Sequence, residues 1–210
     1  MRIFVLTRHA RSTLNVEGRV NGDPSVPVPL TDDGRAEAGR VRTQLANLPL
    51  DLCVHTRFGR TLETAECILG DRKVRLVEEP LLDDIDVGEL EGEPIDVYEA
   101  WKRRHPSRAA PFPGGESLDD AARRYARAFR ALLARPEMTI LAVCHEIPIR
   151  YALNAAAGSD RLDGPEHRIP NATPYLFDGS ALERAAEGIE RLLQATGRDA
   201  AGTGERGVTG

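Results

Sequence analysis

The chain has 210 residues, a formal net charge of −5 and 41% hydrophobic residues, which is ordinary globular usage. This composition excludes a basic nucleic-acid coat and a disordered chain, and the length favours one folded domain. No stretch approaches the roughly 18 consecutive apolar residues of a membrane span, and Arg8 interrupts the first apolar segment too early for a secretory signal. We therefore expect a cytoplasmic protein that binds neither nucleic acid nor membranes.

Four short apolar runs predict strands, because each is nearly unbroken rather than alternating. Such runs are typical of strands that are buried on both faces of a parallel sheet. The four runs are Ile3–Leu6, Leu52–Val54, Val74–Val77 and Ile140–Cys144. Apolar residues at helical spacing lie between them, after Thr31, from Phe58 to Leu69 and from Leu118 to Leu132. This alternation predicts an α/β fold with a mostly parallel central sheet and helices on both faces.

The end of the chain differs in composition from the rest. Residues 181–195 carry apolar residues at helical spacing, although a hairpin strand fits the same place. From Gly197 to Gly210 the sequence is rich in Gly, Ala, Thr and Arg. We predict a single domain over residues 1–196 and a disordered tail over residues 197–210.

Two of the predicted strands end in a histidine with polar neighbours. The first runs into Arg8 and His9, and the last ends at His145 and Glu146, before Pro148 opens a helix. Because the carboxyl ends of parallel strands meet at one edge of a sheet, we expect both histidines there.

The helix that follows the second strand begins with arginines. Arg57 or Arg60 at a helix N-terminus suits an anion. A neutral imidazole can attack phosphorus, and flanking cations both keep it unprotonated and neutralise the phosphoryl oxygens. The leaving oxygen needs a proton, and the segment Leu82–Gly92 supplies carboxyl groups that could donate it. Since arginines and imidazoles supply positive charge, we expect neither a metal ion nor a cofactor.

These residues stand in motifs that resemble the histidine phosphatase superfamily, which has the phosphoglycerate mutase-like fold. Thr7–Ala10 resembles the Arg-His-Gly signature of that family, and Arg60 with Thr64 and Ala65 resembles its later helix start. Further matches follow in family order at Leu30–Thr31, Asp84–Gly92, Gly114–Ser117 and Val143–His145.

The resemblance implies a phosphomonoester hydrolase that acts on a small phosphorylated metabolite through a phosphohistidine. His9 would accept the phosphoryl group, and Asp84 would donate the proton to the leaving oxygen. The residues that would bind the phosphate are Arg8, Asn15, Arg60 and His145. The oligomeric state, including a homodimer, stays open.

Several assignments have alternatives in the sequence. Arg57 competes with Arg60 as the phosphate ligand, and Asp83 and Asp86 compete with Asp84 as the acid. Several positions depart from the family pattern, among them Arg11, His55 and Thr56. Ala10 replaces the commonest glycine, Asp84 is shorter than the usual glutamate, and Glu146 adds a carboxylate near the anion site.

Two other functions compete with hydrolysis. Phosphoglycerate mutase-type transfer uses the same family chemistry, and the short acid together with Glu146 is compatible with a non-catalytic protein that binds a phospholigand. The substrate itself is not encoded in any motif. We expect the insert over residues 94–117 to contact it through Tyr98, Trp101, Arg103 and Arg104.

Overall fold

A single five-stranded sheet forms the centre of the fold. The computed structural model describes residues 1–166 and 168–202. The strands are Ile3–Arg8 (β1), Leu52–His55 (β2), Arg75–Glu78 (β3), Thr139–Cys144 (β4) and Pro174–Asp178 (β5). They lie in the order β3-β2-β4-β1-β5, and every neighbouring pair is parallel except β1 with β5. The predicted α/β fold with a mostly parallel sheet is therefore confirmed.

Helices cover both faces of this sheet. Within the described ranges the α-helices are Thr13–Glu17 (α1), Asp32–Gln44 (α2), Gly59–Leu69 (α3), Ile95–Arg104 (α4), Leu118–Ala134 (α5), Glu146–Ala156 (α6) and Gly179–Gly202 (α7). Short 3₁₀ helices occupy Pro80–Leu82 and Gly88–Leu90. None of the described helices combines the length and apolarity that crossing a bilayer demands.

The apolar runs of β1, β2 and β4 follow from burial on two sides. The run at Val74–Val77 was wrongly expected to be buried in the same way, because β3 is an edge strand in which no residue is fully buried. In β1, Phe4 and Leu6 join the core that also contains apolar residues of α5, α6 and α7. Val5, between them, joins the second core, to which α2 and α3 contribute. Because successive side chains of a strand point to opposite faces, every residue of such a strand must be apolar.

Side-chain caps satisfy backbone N–H groups at the start of several helices, among them α2 and α5. Thr31 accepts a hydrogen bond from the Gly34 N–H at 3.0 Å at the start of α2. Ser117 and Asp120 form a capping box at the start of α5.

The antiparallel edge strand β5 was not predicted from the sequence. It begins at Pro174, and Phe177 is its one buried side chain, so it lacks the unbroken apolar run of a central strand. The short helices α1 and α4 were not predicted either.

The stretch over residues 181–195, left open between helix and strand, lies in α7. That helix continues past the predicted domain boundary at residue 196 to Gly202, so its last turns overlap the beginning of the predicted tail. Residues 203–210 lie outside the described part. The domain boundary and the tail therefore stay predictions.

Candidate active site

Three adjacent strands bring their carboxyl ends to one point. β4 lies between β1 and β2, and its Cys144 pairs with Arg8 of β1. The His9 N–H donates to the Cys144 carbonyl at 2.9 Å. His145 follows directly, so the centroids of the two histidine rings are 5.4 Å apart. The histidines meet at one edge of the sheet, where the start of α3 also arrives from β2.

His9 is held in one tautomer by a backbone carbonyl. Its Nδ1 lies 2.8 Å from the Ala10 oxygen, which can only accept, so Nδ1 carries the proton and Nε2 has the lone pair. Burial lowers the pKa of His9 well below its ordinary value, and the charges of Arg60 and Arg8 lower it further. The imidazole is therefore neutral at neutral pH. The alanine at position 10 leaves this contact unaffected, because the carbonyl makes it.

Arg60 touches each of the candidate reacting groups. It is 4% exposed, and its Nε donates to His9 Nε2 at 3.0 Å. Its Nη2 lies 3.2 Å from both Asp84 Oδ2 and His145 Nδ1. Arg60 Nη1 donates to the side-chain oxygen of Asn21, and the backbone oxygen of Asn21 is a third neighbour of Nη2, also at 3.2 Å. Arg60 thus stands at the centre of the cluster.

Asn21 was missed as a site residue by the sequence analysis. Its amide donates to Glu91 Oε1 at 2.6 Å, and Glu91 Oε2 accepts from the Gly22 and Asp23 N–H groups at 2.6 Å and 3.0 Å. Glu91 belongs to the Asp84–Gly92 segment that resembles a family motif. That motif was the available sequence signal, because Glu91 holds the loop after α1 that carries Asn21.

The alternatives to Arg60 and Asp84 make their contacts outside the cluster. The Arg57 side chain is half exposed, and its Nε lies 2.5 Å from Asp83 Oδ2. Asp86 accepts from the Gly88 N–H at 2.9 Å and is exposed. Geometry therefore favours Arg60 over Arg57 and Asp84 over both other aspartates.

One carboxyl oxygen of Asp84 contacts both Arg60 and His145. Its Oδ2 lies 3.2 Å from Arg60 and 3.3 Å from His145 Nδ1. Burial raises the pKa of the Asp84 carboxyl, and Arg60 opposes this shift. The same burial, together with Arg60, lowers the pKa of His145 well below its ordinary value. The buried site therefore disfavours charge on the carboxyl as well as on the imidazoles.

Arg8 is shared between the cluster and Glu146. Its Nη1 lies 2.6 Å from Glu146 Oε2 and 2.6 Å from the Ile169 oxygen, whereas its buried Nε has no hydrogen-bond partner among the described residues. Glu146 also lies 3.5 Å from Arg150. The added carboxylate thus neutralises one end of Arg8 and leaves a donor for an anion.

Asn15 lines the same cleft as Arg8 and His9. Its Oδ1 accepts from the Ser12 N–H at 3.1 Å and from Asn171 Nδ2 at 3.3 Å. Asn171 also donates to the His9 carbonyl at 2.8 Å. The amide group of Asn15 is therefore positioned by the segments before α1 and β5.

The cleft beside His9 is lined by apolar as well as charged residues. The apolar lining residues are Leu14, Val20, Ile85, Ile95, Tyr98 and Ile147. The further charged lining residues are Arg19, Glu99, Lys102, Glu146 and Arg150. Within the part of the chain that the structure describes, no group of three or more His, Cys, Asp or Glu side chains could hold a metal ion.

Only one of the four side chains expected from the insert lines this cleft. Tyr98 does, whereas Trp101 packs in the core against Phe112, with ring centroids 4.3 Å apart. Arg103 and Arg104 are exposed and do not line the cleft. The helical period of α4 explains this, because Tyr98 and Lys102 share one side and Trp101 faces the core.

Comparison with known proteins identifies the family. The family model described as the histidine phosphatase superfamily (branch 1) matches residues 4–190. The chain belongs to the histidine phosphatase superfamily. The resemblance stated from the motifs is thereby confirmed.

Relatives in this superfamily carry different names. "Probable phosphoglycerate mutase GpmB" of Proteus mirabilis (strain HI4320) is 27% identical over 198 residues, which cover 87% of this chain and 91% of the relative. The solved structure of Bacillus stearothermophilus YhfR is 27% identical, with a TM-score of 0.74 over 84% of this chain and 90% of that one. The alpha-ribazole phosphatase of Shigella flexneri has a TM-score of 0.72 at 24% identity, covering 84% and 90%, and shares the fold.

We expect acid to destabilise the protein partly through His9. Its pKa is lowered in the folded state, whereas the unfolded chain binds the proton below about pH 6.5. The unfolded state therefore holds more protons in this window, and the free energy of unfolding falls as the pH falls. Urea unfolding of wild type and His9→Gln at about pH 7 and below measures the effect.

The His9→Gln variant should lose less stability on acidification than the wild type. Above the window, between about pH 7.5 and 8.5, the stability difference between the two proteins should stay constant, which provides the internal control. An equal loss in both proteins on acidification would contradict a lowered pKa for His9.

Proposed function

We propose that the protein is a phosphomonoester hydrolase in which His9 Nε2 accepts the phosphoryl group. The observation that carries this proposal is the neutral, lone-pair-bearing Nε2 at a cleft lined by Arg8 and Arg60. Attack requires the Arg60 N–H to turn from Nε2 to a phosphoryl oxygen, which is the stronger, charged acceptor.

Each step of the reaction has a group that balances it. Nε2 attacks phosphorus, the bond from phosphorus to the leaving oxygen breaks, and Asp84 gives its proton to that oxygen. A water molecule then attacks phosphorus, the phosphorus–nitrogen bond breaks, and the Asp84 carboxylate takes the proton from the water. Arg8 and Arg60 neutralise the phosphoryl oxygens throughout, so the proposed reaction uses no metal ion.

The lining of the cleft outside the cluster supports an uncharged, largely apolar alcohol as the leaving group. Three cations of that lining already have an acidic partner: Arg19 lies 3.7 Å from Glu17, Lys102 lies 3.3 Å from Glu99, and Arg150 lies 2.9 Å from Asp163. A second anionic group on the substrate would have to compete with these carboxylates. An apolar body would instead contact apolar lining residues such as Ile95 and Tyr98.

Phosphoglycerate mutase activity is the second candidate function, because a relative is named as a probable phosphoglycerate mutase. A mutase must also hold the carboxylate of its substrate while the phosphoryl group moves. The paired cations of the cleft favour hydrolysis over this alternative.

The nucleophile prediction tests the proposal directly. His9→Ala should lower kcat by about 10⁶, as nucleophile loss does in other covalent enzymes. The exposed His105→Ala is the matched control and should turn over like the wild type. Acid-quenched wild type should carry labelled phosphate on His9, with EDTA present throughout.

Three results would contradict the proposed mechanism. Labelled phosphate on another residue would show that His9 is not the nucleophile. A fall in kcat of about tenfold with EDTA, restored by Mg²⁺, would contradict a metal-free reaction. Binding of phosphate without turnover of any ester would support a phospholigand-binding protein instead.

The acid prediction depends on the leaving group. Asp84→Asn should lower kcat/KM, which reports phosphoryl transfer before water attacks, by about a hundredfold on an alkyl phosphate, within the range for general acids. The loss should be less than about tenfold on p-nitrophenyl phosphate, whose phenolate leaves unprotonated. Because Asp84 must be protonated, the wild-type kcat should fall as the pH rises through its raised pKa. Asp86→Asn is the matched control, and equal losses on both esters would exclude Asp84 as the acid.

The substrate prediction compares an apolar ester with an anionic one. We expect kcat/KM for benzyl phosphate to exceed that for 3-phosphoglycerate by at least about tenfold, the effect of about two buried methylene groups. Ile95→Ser should reduce this preference, whereas Val16→Ser, exposed but outside the cleft, should keep it. Faster conversion of 3-phosphoglycerate to 2-phosphoglycerate than release of phosphate would establish the mutase instead.

A further inference from the structure

Two buried threonine hydroxyls connect His145 to a backbone carbonyl. His145 Nε2 lies 3.0 Å from Thr56 Oγ1, which lies 2.9 Å from Thr61 Oγ1, which lies 2.7 Å from the Phe58 oxygen. Thr56 is 1% exposed, and Thr61 and His145 are both fully buried. The hydroxyl relay, as we call Thr56 and Thr61, is therefore closed to bulk water.

The hydrogen bonds of the relay have one direction of donation, from His145 towards the Phe58 carbonyl. The Phe58 carbonyl only accepts, so the Thr61 hydroxyl donates to it. Thr61 Oγ1 then accepts from the Thr56 hydroxyl, and Thr56 Oγ1 accepts from an N–H at His145 Nε2. The reverse direction would leave two oxygen lone pairs facing each other at 2.7 Å in the interior.

The other lone pairs of the relay agree with this direction. Thr61 Oγ1 also accepts from the Thr56 backbone N–H at 3.1 Å, and Thr56 Oγ1 accepts from the Phe58 N–H at 3.4 Å. Each hydroxyl thus donates once and accepts twice, which is its full capacity.

A second observation gives the same tautomer of His145. Arg60 Nη2 lies 3.2 Å from His145 Nδ1, and a guanidinium can only donate. This contact favours a lone pair on Nδ1 and the proton on Nε2, in agreement with the direction of the relay. The same Nδ1 lies 3.3 Å from Asp84 Oδ2.

We infer that Thr56 and Thr61 are positioning residues of the acid step: they keep the Nδ1 lone pair of His145 facing Asp84, so that the acid proton stays on the carboxyl. Without the relay the ring can place its proton on Nδ1 instead. An N–H at Nδ1 would donate to Asp84 and favour the ionised carboxylate, which cannot protonate a leaving oxygen. This inference rests on the proposed hydrolase function.

The relay differs from the groups that already surround the pair. The charged groups that face Asp84 and His145 are Arg8, Arg60, Arg124 and Glu146. The neutral titratable groups there are His9, Tyr98, Tyr125 and Cys144. None of these eight residues belongs to the relay, so a change in Thr56 alters the tautomer without altering a charge.

The matched variants Thr56→Val and Thr56→Ser test the inference. Valine keeps the shape and removes the hydroxyl, and serine keeps the hydroxyl. With Thr56→Val, kcat on an alkyl phosphate should fall by at least about tenfold. The alkaline limb of the pH profile of kcat should move to lower pH. On p-nitrophenyl phosphate the loss should be less than about threefold, and KM should change little on both esters. Thr56→Ser should recover most of the alkyl phosphate rate and the position of the limb.

Equal losses on both esters with an unmoved alkaline limb would overturn the inference, and so would a serine variant that behaves like valine. Nitrogen-15 NMR of the wild-type protein gives a test that needs neither folding of a variant nor turnover. It should show the His145 proton on Nε2, and a proton on Nδ1 would overturn the relay. Absence of turnover in the wild type would instead remove the hydrolase function and leave the NMR result standing.

Discussion

The candidate site depends on one buried cation, the guanidinium of Arg60. A guanidinium at 4% exposure is tolerated only where its N–H groups find acceptors, and His9 Nε2, Asp84 and the Asn21 oxygens supply them. Its charge adds to burial in lowering the pKa of both His9 and His145. One side chain therefore contacts the carboxyl, helps to keep the imidazoles neutral and supplies charge for a phosphoryl group.

Burial divides the roles at this site, because it disfavours charge on every group. It raises the pKa of Asp84 and lowers that of both histidines, so the carboxyl is suited to donate a proton and His9 to attack. The strand order makes the shared burial available, since β4 lies between β1 and β2. The tautomers are then fixed by oxygen acceptors, the Ala10 carbonyl for His9 and Thr56 for His145.

The sequence by itself determined the fold class and the ends of the central strands. Unbroken apolar runs arise only where both faces of a strand are covered, so β1, β2 and β4 were readable without coordinates. The polar residues that follow those runs, Arg8 with His9 and His145 with Glu146, had to lie at the same edge of a parallel sheet. Ordered motifs then identified the superfamily, because motif order survives where overall identity is low.

Only the tertiary structure decided which of several neighbouring side chains belongs to the site. Arg57 pairs with Asp83 outside the cluster, whereas Arg60 turns inward, and both choices depend on contacts across the fold. Asn21 and Thr56 gained their partners in the same way, from segments distant in sequence. Local sequence patterns specify the periodicity of the backbone. The direction and the partners of a polar side chain depend instead on which residues, distant in sequence, the tertiary packing brings into contact with it.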